Sequence, residues 1–144
     1  MKRLQGLLPF VSLIVLFIGL WIASPYFLTS TNLSSLIRQT AVINIMALGM
    51  TIIIISHGID LSVGAILAMG GLLGTMAMEK GYPIVGGIGV GLLVGLLCGL
   101  LNGFLITKLK IAPFIVTLGT LGVFRGTTLL ISNGLPVHQI PQAF

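Results

Sequence analysis

At 144 residues, 56% hydrophobic and 6% charged, with a mean hydropathy of +1.20, the chain has too little polar surface to be solvated by water. That composition excludes a soluble enzyme. The net charge of +5 comes from seven cations that form no basic stripe, which excludes nucleic acid as a partner and makes the charges markers of membrane topology.

Charges and turn residues cut the chain into five apolar runs, which predict an all-α, polytopic membrane helix bundle of about five transmembrane helices in a single transmembrane domain over 1–144. The first run, Leu7 to Leu28, is long enough to span a bilayer core. Lys2 and Arg3 precede it and Ile22–Ala23–Ser24 makes a weak cleavage pattern. Pro25 follows at once and no soluble domain comes after, so the segment reads as a retained helix. The polar stretch "TSTNLSSLIRQT" supplies helix N-caps, and a second helix is expected from Asn32 or Leu33 to Ser56, its amphipathic start lying in the interface.

The second run ends in "SHGIDLSVGA", residues 56–65, which holds Asp60, one of two acids in the chain. Gly58 is expected at the left-handed position that ends a helix. Asp60 is expected to cap a helix beginning at Leu61, its carboxylate accepting from the backbone N–H of Ser62 or Val63. The junction then has two readings. It is a capped turn at the interface, or a break at membrane depth, where irregular backbone is tolerated only inside protein or along a wet cavity.

The third run, Leu61 to Met78, carries Gly70 and Gly74. The fourth, Pro83 to Thr107, carries Gly87, Gly91, Gly95, Gly99 and Gly103, each four apart. A step of four turns the stripe by about 40°, so it winds round the helix and calls for a closely crossing partner. The functional alternative to static packing is a sliding interface. Cys98 in the same run is read as packing, since one cysteine makes no internal disulfide.

The fifth run, Ile111 to Ile131, has Thr117, Thr120 and Thr127 near one face with Phe124, and Gly119, Gly122 and Gly126 roughly opposite. The glycines suit helix packing. The threonines either line a polar path or bond back to their own carbonyls. Arg125 belongs to neither stripe and is expected to snorkel. The chain closes on a polar, turn-rich segment, "SNGLPVHQIPQAF". With Lys2, Arg3, Lys108 and Lys110 on one side against Arg38 and Lys80 on the other, the N-terminus is expected in the cytoplasm.

No catalytic residues are assigned. Ser56, His57 and Asp60 stand close in sequence, but Gly58 breaks the helix between them and no oxyanion motif accompanies them. Two histidines, one cysteine and two acids make no metal site. Asn102 and Asn133 read as helix-contact and turn residues rather than ligands. No phosphate-binding loop is present, so ATP would be hydrolysed elsewhere.

The stretches "SPYFLTSTNLSSLIRQTAVINIMALGMTIIIISHGIDLSVGAILAMGG" and "LNGFLITKLKIAPFIVTLGTLGVFRGTTLLISNGLPV" resemble the inner-membrane permeases of bacterial sugar ABC importers of the ribose, xylose and arabinose type, nearest to the ribose members. "GIDLSVG" is the family's specific signature, so the resemblance marks Gly58, Asp60, Ser62 and Gly64 as signature positions and makes Asp60 more than a cap. Thr117 and Thr120 join them as candidates for the translocation path. It implies a second permease chain, a cytoplasmic ATPase carrying the ATP and magnesium, and a periplasmic or lipid-anchored sugar-binding protein, all at a lipid inner membrane. Family members are about twice as long, so the chain reads as an N-terminal portion lacking the loop that docks on the ATPase. Two other functions are compatible with the bare sequence: a small proton-coupled exporter using Asp60, and a non-transporting membrane scaffold built on the glycine ridges.

Overall fold

A computed structural model describes residues 2–137, with the backbone alone for residues 2–6. Its five helices are α1 (Lys2–Ala23), α2 (Ser30–Ile55), α3 (Val63–Glu79), α4 (Ile84–Thr107) and α5 (Pro113–Ser132). Three of them, α2, α4 and α5, are long and apolar enough to cross a membrane; α3 and the Leu7–Ala23 part of α1 are shorter apolar helices. The chain divides into two compact units, Met1–Ala47 and Leu48–Phe144.

In the first unit, α1 stops earlier than its apolar run. Ser24 precedes Pro25, whose ring disfavours helical backbone in the residue before it, and a turn follows over 25–28. Phe17 and Phe27 meet edge to face with centroids 5.1 Å apart. Helix α2 begins at Ser30, a little before its expected start, because Thr29 is the cap: its Oγ1 accepts the Asn32 N–H at 3.4 Å. Asn32 is held in turn by donation from Nδ2 to the Phe27 carbonyl at 2.7 Å.

In the second unit, α3 packs on both α4 and α5. Most of the inside is small or polar: Ser62, Ala65, Gly70, Gly74, Gly87, Cys98, Asn102, Thr117 and Thr120 are buried, with Met78, Val116 and Phe124 as the larger apolar side chains among them. Large apolar side chains such as Leu92, Leu96, Leu100 and Leu130 are exposed. That distribution, inverted relative to a water-soluble domain, fits helices whose outer faces meet lipid and whose inner faces approach closely.

The α3–α4 crossing is a backbone-to-backbone contact. A Cβ on Gly74 would lie 2.7 Å from the Gly87 carbonyl oxygen, and one on Gly70 3.0 Å from that of Gly91. Only the first half of the α4 ridge is used in this way. A Cβ on Gly95 would meet only Ile66 Cγ2, at 4.0 Å, and among the described residues nothing lies within 4 Å of one placed on Gly99 or Gly103. The stripe's drift explains the split: about 40° per glycine carries the later ones off the face that meets α3. An open groove runs along that half of α4, from Gly95 to Lys108.

Helix α5 turns its threonine face inward. Val116, Thr117, Thr120 and Phe124 are buried, and Phe124 joins Ala65 and Cys98 in the small apolar core. Among the described residues, a Cβ placed on any of the opposite glycines, Gly119, Gly122 and Gly126, would find only open space within 4 Å. Arg125 is exposed.

Candidate functional site: a polar break between two helices

Seven residues, 56–62, separate α2 from α3. Helix α2 ends in a pair of capping hydrogen bonds, His57 N–H to the Ile54 carbonyl at 2.9 Å and Gly58 N–H to the Ile53 carbonyl at 3.0 Å. That pattern puts the left-handed residue at His57 (φ 59°), one position before the expected Gly58. Gly58 serves a different need. A Cβ there would sit 3.2 Å from Ile53 Cγ2 and 3.8 Å from Pro113 Cβ, so its missing side chain lets the chain pass between α2 and the start of α5.

Asp60 turns the backbone rather than capping a helix at Leu61. Its Oδ1 accepts the Ser62 N–H at 2.7 Å, a turn closed two residues on by the side chain, and accepts the Ser62 hydroxyl at 2.6 Å. The Ser62 N–H is thus engaged outside the helix, and α3 begins at Val63 with Ser62 as its N-cap, two residues later than expected. The first helical bond runs from Ile66 N–H to the Ser62 carbonyl at 2.9 Å.

Two other helices hold this break. From α4, Asn102 Nδ2 donates to Ser62 Oγ at 2.8 Å, both residues being buried. From α5, the Thr117 hydroxyl lies 3.1 Å from the Ile59 carbonyl and 2.9 Å from that of Pro113 in its own helix, so its one proton is shared between back-bonding and the break. Thr120 sits one turn on, buried, with its hydroxyl 3.4 Å from the Thr117 carbonyl. Gly58, Asp60, Ser62 and Thr117 are therefore gathered at one place. Gly64 is not part of that cluster, with open space where a Cβ would be, and Thr120 supports Thr117 rather than touching the break.

One atom in this network is unsatisfied: Asn102 Oδ1 is buried and accepts nothing. A buried polar atom without a partner costs about 1–3 kcal/mol. Asn102 is a helix-contact residue, as its place in the sequence suggests. Its tie to Ser62, across 40 residues of sequence, has a single sequence signal: a lone amide in the apolar run "GLLNGF". Asn133 ends α5 in left-handed backbone (φ 51°). Among the described residues no group of three or more His, Cys, Asp or Glu side chains gathers. His138 and the rest of 138–144 lie outside the described residues.

The family described as "Branched-chain amino acid transport system / permease component" matches residues 32–139, which include the break and all three helices around it. The chain belongs to that permease family. That family is one of transport permeases, and three of this chain's helices are long and apolar enough to cross a membrane. This permease is 48% identical over 134 residues to the ribose import permease protein RbsC of Bacillus subtilis (strain 168), an alignment covering 93% of the chain and 42% of that relative. It is 39% identical over 124 residues to the xylose transport system permease protein XylH of Escherichia coli (strain K12), covering 85% of the chain and 32% of the relative. The D-allose transport system permease protein AlsC of the same strain is 38% identical over 114 residues, with coverage of 78% and 35%. The permease chain thus spans less than half the length of these relatives. No solved structure matches it.

Proposed function

We propose that the chain is part of the transmembrane permease of a ribose-type ABC sugar importer in a bacterial inner membrane. The observation that carries this reading is the 48% identity to a ribose import permease over 93% of the chain. The packing supports it: a polar break is held inside protein by α4 and α5, one of the two settings in which irregular backbone is tolerated at membrane depth. In this reading Gly58, Asp60, Ser62 and Thr117 belong to the wall of the translocation path. Thr120 and Gly64 lie behind and beside it, and the glycines of α4 serve helix packing. The partners are a second permease chain, a cytoplasmic ATPase that binds ATP and magnesium, and a periplasmic or lipid-anchored sugar-binding protein. The N-terminus is cytoplasmic, so a cysteine at position 80 should be labelled from outside and one at 109 only from inside.

The test is uptake of labelled ribose by cells lacking their own ribose permease, supplied with the full gene product, the ATPase and the binding protein. Uptake that disappears when the ATPase is omitted supports the reading. Ribose uptake no higher than in cells without the permease would contradict it, and uptake of xylose or allose instead would move the substrate within the sugars.

A further inference from the structure

We infer that Asn102 is a positioning residue for Asp60, acting through Ser62. The importance of this for transport rests on the reading above; the link itself is geometric. Ser62 has one hydroxyl proton and two polar neighbours, the Asp60 carboxylate at 2.6 Å and the Asn102 amide at 2.8 Å. Asp60 Oδ1 can only accept, so the proton lies on that contact. Asn102 must then present its N–H to the serine. Were the amide reversed, its oxygen would face a hydroxyl oxygen with no hydrogen between them. The single serine proton therefore fixes the orientation of the amide.

The consequence is the bare Asn102 carbonyl oxygen, buried without a partner. A residue present only to fill space would be apolar and would avoid that unsatisfied atom. An amide that leaves its acceptor empty is there for its donor. By donating to the acceptor side of Ser62, Asn102 holds the serine oxygen in place while its proton lies on the Asp60 contact. The carboxylate then receives two hydrogen bonds, both on Oδ1, and no described residue donates to Oδ2. Helix α4 thus steadies, through Ser62, the contact on Oδ1 and with it the placing of the Asp60 carboxylate.

Asp60 is the only aspartate in the chain, so its carboxylate can be observed alone. The 144-residue chain is made by cell-free synthesis with aspartate labelled with carbon-13 in the side-chain carboxyl, and reconstituted in lipid. The isotope-shifted carboxylate stretch is read by infrared difference spectroscopy, with the amide band of the same spectrum reporting folding. Ser62→Ala should shift the Asp60 band. Asn102→Ser and Asn102→Thr, whose hydroxyls are too short to reach Ser62, should shift it in the same direction. Thr107→Val, on the exposed end of α4, should leave it unmoved. An Asp60 band at the wild-type position in either folded Asn102 variant, or in Ser62→Ala, overturns the proposal. The measurement needs no transport, so absent ribose uptake would count against the proposed function and not against this link.

Discussion

Helices α3 and α4 are joined at two ends by opposite means. Toward the C-terminal end of α3, Gly70 and Gly74 meet Gly91 and Gly87 with backbone against backbone, and the Met78 side chain packs over Gly87. At the N-terminal end of α3, the same two helices meet through Ser62 and Asn102, with Asp60 behind the serine. The glycine end depends on volume, since any side chain would occupy space that backbone already fills. The serine end depends on chemistry, since an apolar residue of the same size leaves donors and acceptors unpaired. A membrane protein has little hydrophobic driving force between helices, so close approach and interhelical hydrogen bonds are the terms left to hold them.

The largest expected effect is at the glycine end. Gly74→Leu places a side chain 2.7 Å from the Gly87 carbonyl oxygen. Overpacking of this kind costs about 1–3 kcal/mol or more, so the variant should lose protease resistance and thermal stability in detergent. Gly99→Leu is its counterpart on the open half of the ridge and should change the isolated chain by less than about 0.5 kcal/mol. Equal loss in the two variants would show that the ridge is not divided as described.

The serine end should respond to chemistry at nearly constant volume. Asp60→Ala removes the acceptor for both the Ser62 N–H and the Ser62 hydroxyl and should cost about 1–3 kcal/mol. Ser62→Ala leaves the Asn102 amide without any partner and should cost about 1 kcal/mol, near the value for interhelical hydrogen bonds in membranes. Asp60→Asn retains an oxygen at the accepting position and should cost a few tenths of a kcal/mol. Thermal unfolding in detergent ranks these variants, and a cost for Asp60→Asn equal to that for Asp60→Ala would mean that the turn depends on charge rather than on an acceptor.

The five helices are legible in the sequence because apolar runs, prolines and capping residues are local signals; α4 starts next to Pro83 and ends at Thr107 as the sequence suggests. What neighbours decide is not legible. Two stripes on α5 are visible, but periodicity does not say which one faces inward, and the threonine face does. The α4 glycines look equivalent in sequence, so a leucine at Gly95 is expected to push the crossing helix apart and prevent stable folding. Contact with α3 moves that sensitivity to Gly74 and Gly87. At the break, "GID" suggests a stop and a start one residue apart. Asp60 instead engages the Ser62 N–H in a turn and delays the helix to Val63, and the left-handed position falls on His57 because the capping bonds reach back to Ile53 and Ile54. Asp60 and Ser62 are picked out by their motif, whereas the Asn102 partnership needs the fold to bring α4 across.

The most direct test of the break as working machinery is ribose uptake by an Asp60→Asn permease in the complete transporter, with expression and assembly measured alongside. The acceptor geometry survives this change and the charge does not. Normal folding and assembly with ribose uptake lost is the expected result. Normal uptake by the well-assembled variant would contradict it and leave Asp60 as a residue that only closes a turn.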